Sequence, residues 1–268
     1  MATATRAEHR TPARRLGHII ATSVARVILA GAGAGAIIWA VAAAPAFWSE
    51  RGLPEVAARI VSGETYSAGA MDALETQIAK GQTSLRPSVL GKVAILRLRR
   101  AESAIAAGDP QAMDARLSAL APTIDAALSN TPSDPFLWLA LYWLSNVKDG
   151  FDPEHLRYLR MSYALGPSEG WIAVRRSRLA LAIFSALPPD IAESAINEFV
   201  GLVDSWLSVA AVDLLAGPAW PIRHILLPRL ADLKEPVRRD FAKMLFDRGL
   251  EDVPVPGVEP SSSRPWQH

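Results

Sequence analysis

Between Leu53 and Leu250 apolar residues recur every three or four positions and no stretch alternates with period two, so the pattern predicts helices and almost no strand. Punctuation by Pro, Gly and Asp divides this region. Ser67 to Lys80 reads as a helix closed by Gly81, and Arg86-Pro87 opens a longer one through Ala107 that buries Val89, Leu90, Val93, Ala94, Leu96 and Leu98. Gly108-Asp109-Pro110 ends it, with Asp109 as N-cap and Pro110 at the first position of a helix that reaches Asn130. After Thr131 to Pro135 comes a helix from Phe136 to Val147. Asp152-Pro153-Glu154 starts another, ended by Gly166-Pro167 with the glycine expected in the left-handed conformation. Trp171 to Leu187 follows, then a region capped by Asp190 that reaches Leu215 with a break at Gly201. Two shorter helices are expected at Pro221 to Leu230 and Glu235 to Leu250. Short helices joined by tight turns favour antiparallel hairpins.

Ahead of this region the pattern changes. Val27 to Trp48 carries no charge, and a helix of that length spans about 33 Å, enough for a bilayer core of about 30 Å. Arg6, Arg10, Arg14, Arg15 and Arg26 precede it against Glu8 alone, which by the positive-inside bias keeps the N-terminus in the cytoplasm and exports the rest. Trp48 stands where an interfacial aromatic belongs. The alternative is a cleaved signal peptide, for which Ala44-Pro45-Ala46 offers small residues; the apolar run is longer than the usual h-region, which favours an anchor. Gly31 and Gly35 form a small-xxx-small face on which two spans could approach, hence a homodimer.

The expected fold class is therefore all-α, with one N-terminal transmembrane helix followed by an array of helical hairpins. Its parts are a basic cytoplasmic tail (1–26), the span (27–48), an exported helical-repeat domain (49–252) and a disordered tail (253–268) rich in Pro and Ser.

Trp138 and Trp171 lie 33 residues apart, each shortly after a proline and each opening an apolar helix, which suits a repeat of two helices. Around the first, Trp138, Leu141 and Tyr142 stand at the Trp, Leu and small-residue positions of a tetratricopeptide repeat, with Tyr158 at its large aromatic position and Met161 at its small Ala position. Tyr142 is larger than that motif uses, so the repeat is degenerate. Asp134 to Ala140, Ser162 to Pro167 and Arg178 to Leu181 together resemble bacterial membrane-anchored, tetratricopeptide-like proteins associated with surface-polysaccharide biosynthesis. That resemblance implies an accessory role in the inner membrane, with a periplasmic domain and partners among envelope or polysaccharide-assembly proteins. It implies helix packing through Trp138, Tyr142 and Tyr158.

Composition narrows the chemistry further. Twenty-eight Lys and Arg balance 27 Asp and Glu, so no global field gathers nucleic acid, and the absence of Cys removes thiolate metal sites and cysteine nucleophiles. No zinc-helix, nucleophile-elbow or phosphate-loop motif occurs, and the five histidines show no ligand spacing, so no enzyme, cofactor or metal is expected. Asp149, Asp152, Glu154 and His155 form the densest acidic group, which helix capping by Asp152 explains. Arg157 and Arg160 on one helix and Arg175 and Arg178 on the next share an i,i+3 spacing, so neighbouring helices could offer four guanidinium groups to an anionic polymer. Their alternative is pairing with local acids such as Glu154 and Glu169. Trp143 points away from Trp138 and Tyr142 and is the aromatic expected to meet a ligand. An interaction scaffold is the leading function; a cell-wall or polysaccharide-modifying enzyme is the alternative.

Overall fold

The computed structural model describes residues 12–49, 51–61, 66–81, 89–167 and 169–259. Among them the regular structure is helical, with no strand. The chain divides into two units, Met1–Arg51 with Glu75–Leu85, and Gly52–Leu74 with Arg86–His268.

In the first unit helix α1 runs unbroken over Pro12–Ser49. Residues Arg26–Ala44 within it have a mean hydropathy of 2.1 and none is buried, so this segment is long and apolar enough to cross a membrane or to act as a signal sequence. The helix starts inside the expected basic tail, so that tail is helical from Pro12 onward. Arg6 and Arg10 lie outside the described residues, as do the side chains of Arg14, Arg15 and Trp48.

The second unit is built from hairpins. Helix α2 (Leu53–Val61) packs on α4 (Leu90–Ala107), and α3 (Ala68–Gly81) crosses the boundary between the units. Three helical hairpins follow, pairing α4 with α5 (Pro110–Asn130), α6 (Pro135–Asp149) with α7 (Leu156–Leu165), and α8 (Gly170–Ala182) with α9 (Pro189–Val203). Across hairpins, α6 touches both α4 and α8, while α7 touches α9. Helices α10 (Ser208–Ala216), α11 (Arg223–Leu226) and α12 (Glu235–Asp247) complete the unit, α10 packing on α9 and α12.

The turn chemistry explains most boundaries. Asp109 accepts from the backbone of Ala112 at 3.0 Å, Asp134 from Phe136 at 2.9 Å and Asp152 from Glu154 at 2.8 Å, so each aspartate before a proline satisfies an otherwise orphaned N–H. Gly108, with φ of +66°, closes α4 in the left-handed region that glycine favours.

Four expectations need correction. Gly166 has φ of −142° and is not left-handed; it is required because a Cβ there would sit 2.5 Å from Cγ of Pro135. Asp190 is not the N-cap of α9, since Pro188 holds that position and its carbonyl accepts from Ile191 and Ala192. Gly201 lies inside α9; the break comes after Val203. The tail is not free from residue 253: Val255 is buried, the backbone oxygen of Pro256 accepts from Arg238 at 2.6 Å, and Gly257 takes the left-handed φ of +68° beside that guanidinium. The folded body reaches Glu259, and residues 260–268 lie outside the described ones.

One continuous core links the hairpins through Leu98, Leu120, Ile124, Leu137, Leu159, Ile172 and Phe199, and Phe199 meets Phe241 of α12 edge to face at 6.4 Å.

Candidate functional site

Helix α8 carries Arg175, Arg176 and Arg178 within four residues, and its helical turn sends them to two sides. Arg175 and Arg178 look into a cavity of about 370 Å³ between α4, α6 and α8. Its apolar lining includes Leu98 from α4, Phe136 and Leu139 from α6, and Val174 from α8, with Trp143 half-buried among them. Arg175 donates to both oxygens of Glu102 on α4, at 2.7 and 3.2 Å, a two-point pairing that fixes the guanidinium plane. Arg99, one turn before Glu102, approaches the same carboxylate at 3.5 Å. Arg178 is exposed and makes no hydrogen bond or ion pair with any described residue, and the Trp143 indole N–H donates to none either. Arg99 and Arg175 thus share one carboxylate while Arg178 has none, leaving a local positive excess on a chain whose formal net charge is +1.

Of the arginines expected to act together, only Arg175 and Arg178 line this cavity. Arg157 donates to the Tyr158 hydroxyl at 2.8 Å and lies 4.8 Å above that ring. Arg160 pairs with Asp190 of α9 at 2.7 and 3.4 Å, which holds that carboxyl below its usual range. The partners of Arg160 and Arg175 are Asp190 and Glu102, not the nearby Glu154 and Glu169, because antiparallel packing brings distant acids closer than the chain does. Arg99 and Glu102 also line this cavity. Their i,i+3 spacing on the polar side of α4 is the signal the sequence offers for them.

The sequence matches no family model, and neither the curated proteins nor the solved structures yield a match.

The residues expected to pack the hairpin divide by depth. Tyr142 is buried, and that burial pushes its hydroxyl up to about 12. Trp138 is only half-buried; its indole donates to the Pro132 carbonyl at 2.7 Å and its ring stacks on Tyr158 at 6.2 Å. Gly31 and Gly35 on α1 face open space, with nothing within 4 Å of where a Cβ would lie. Asp152 and Glu154 serve the start of a single turn at Pro153–His155, and no group of three or more metal-ligating side chains occurs among the described residues.

Arg176 turns the other way and is wholly buried. It donates to the Glu198 carboxylate of α9, to the Ser162 carbonyl at 2.6 Å and to the Gly166 carbonyl at 2.9 Å, while Ser177 donates to the second Glu198 oxygen at 3.0 Å. The guanidinium also lies 4.2 Å over the Tyr163 ring. Burial pushes the Glu198 carboxyl up, outweighing the pull of Arg176 and Ser177. This network locks α7, α8 and α9 together, and its Glu198 and Tyr163 border a second cavity of about 700 Å³ that is also lined by Trp206, 86% exposed.

Proposed function

We propose that the chain is a non-catalytic, membrane-anchored interaction scaffold. In this reading α1 holds it in a bacterial inner membrane with the N-terminus in the cytoplasm and the helical unit in the periplasm, where it serves as an accessory factor in envelope or exopolysaccharide assembly. The hairpins α4/α5, α6/α7 and α8/α9 are then successive units of a degenerate tetratricopeptide-like solenoid. Support comes from contacts between alternate helices, from the Trp138–Tyr158 stack at repeat positions, and from Gly166 seating against Pro135. The carrying observation is that first helices of three hairpins line one open cavity, the arrangement by which stacked hairpins present a shared binding face.

Two measurements test this reading. A reporter active only after export should work when fused after Glu259 and fail when fused within the first 15 residues; the reverse overturns the orientation. Crosslinking in intact membranes should trap envelope-assembly proteins on the wild-type chain. Turnover of a cell-wall sugar by the purified protein, abolished by one Asp or Glu substitution, would replace the scaffold with an enzyme.

A further inference from the structure

We infer that the α4/α6/α8 cavity is a binding site for a small organic acid, a single carboxylate carried on an apolar body of aromatic or acyl size. The inference rests on reading this cavity as the working face and gives that face a ligand class. Three observations lead to it. First, the cavity is bounded on three sides by helices and its volume of about 370 Å³ falls in the range of small-ligand pockets, which run from about 300 to 1,000 Å³. Second, Arg178 and Trp143 both border it, and the Arg178 guanidinium has no acceptor among the described residues, so one charged donor is free at its mouth. Third, Phe136, Leu139, Leu98 and Val174 supply an apolar floor that rewards burying a hydrocarbon body but offers a free ion nothing.

The charge pattern sets the valence of the head group. Arg178 is the anchor, because its guanidinium is uncommitted. Arg175 is a positioning residue: Glu102 holds its plane fixed from one side, and Arg99 shares the load on that carboxylate. With Glu102 already paired by Arg175 and Arg99, Arg178 is the single uncommitted charge, so a second carboxylate on the ligand would be desolvated against the apolar floor without a partner. A monoanion with an apolar tail sets its carboxylate against Arg178 and its hydrocarbon against the apolar floor.

The test is calorimetric titration of the full-length protein in lipid nanodiscs, which avoids competing detergent. The probes are 4-phenylbutyrate, its neutral isostere 4-phenylbutyramide, and the dianion phenylsuccinate. The monoanion should bind about tenfold or more tightly than the amide, the difference expected from one charged hydrogen-bonded contact, and more tightly than phenylsuccinate. Arg178→Ala should remove that preference without moving the melting temperature, Arg178→Lys should restore part of it, and added salt should weaken the acid alone. Equal binding of acid and amide, or full binding by Arg178→Ala, overturns the inference. The scaffold reading is judged separately, by wild-type crosslinking: lost capture with intact acid binding removes the scaffold and leaves the site.

Discussion

The two sides of α8 show how the same residue type can do opposite work. Arg176 is enclosed, with its donors taken by Glu198, Ser162 and Gly166, and its charge is spent on holding three helices. Arg178, two positions on, is exposed and uncommitted at the mouth of a cavity. Buried charge must be satisfied internally or it costs several kcal/mol, whereas exposed charge is nearly neutral for stability and is therefore free for recognition. Substitutions on one side should unfold the unit and on the other should leave it folded but altered in binding.

The largest effect belongs to the enclosed side. Glu198→Ala leaves the Arg176 guanidinium buried without its counter-charge and should lower the unfolding free energy by about 3–5 kcal/mol. Replacing both members, as Arg176→Met with Glu198→Leu, should recover most of that loss, because no uncompensated charge remains. Urea denaturation of the single and double variants checks this. A single variant as stable as the wild type would mean that the network is ornamental.

Next comes Trp138→Ala. A fully buried Trp truncation costs about 3–5 kcal/mol, but this ring is half-exposed, so a loss of about 2 kcal/mol is expected from its missing contact with Tyr158 and the Pro132 bond. An effect as large as that of Glu198→Ala would place the hairpin contact, not the ion pair, at the centre of the fold.

Much of this was legible in the sequence, and for local reasons. Helix boundaries at Asp109, Asp134 and Asp152 follow from an aspartate before a proline, a signal complete within four residues. The apolar span needed only its own composition. Spacing marks Arg157, Arg160, Arg175, Arg178 and Trp143 as candidate binding groups, and the structure brings only Trp143, Arg175 and Arg178 of these to one cavity. What escaped was everything decided by packing across the chain. Glu198 looks like any charged helical residue until α9 folds against α8, 22 residues from its partner. Asp190 reads as a cap because it follows two prolines, yet Arg160 claims it from another hairpin. Gly166 invited a left-handed reading because glycine before proline usually ends a helix that way, whereas the real constraint is Pro135 from a neighbouring helix.

A smaller effect concerns pH. The folded Glu198 carboxyl is raised above its unfolded value, chiefly by burial, so the native state holds that proton more tightly than the unfolded state does. Its contribution to stability is complete below the unfolded value and declines as pH rises through the folded one. The wild type should therefore lose stability relative to Glu198→Gln as pH increases just above the ordinary glutamate range. Asp72 and Asp190 behave oppositely, since hydrogen bonds from Arg100 and Arg160 lower their folded values, so their contributions fade as the solution is acidified. Thermal melts of the two proteins across the acidic range check the sign. A gap that widens on acidification in place of alkalinisation would show that Arg176, not burial, governs Glu198.

The smallest effects on stability discriminate most sharply between the two sides. Arg178→Ala removes an exposed side chain with no partner, so the unfolding free energy should change by no more than about 0.5 kcal/mol. Arg160→Ala removes a solvent-exposed pair with Asp190, and its melting curve should overlay the wild type's. The two variants are thus matched as surface arginine losses, and the four-arginine face expected from spacing alone would make them equivalent in binding. The structure makes them different, because Arg178 borders the α4/α6/α8 cavity and Arg160 is committed to Asp190 elsewhere. Partner crosslinking in intact membranes should therefore fall for Arg178→Ala and persist for Arg160→Ala, with added salt weakening only the contact that Arg178 makes. Equal losses in both would restore the broad arginine face, and equal retention would move recognition off α8 altogether, toward the Trp206 rim on the network side.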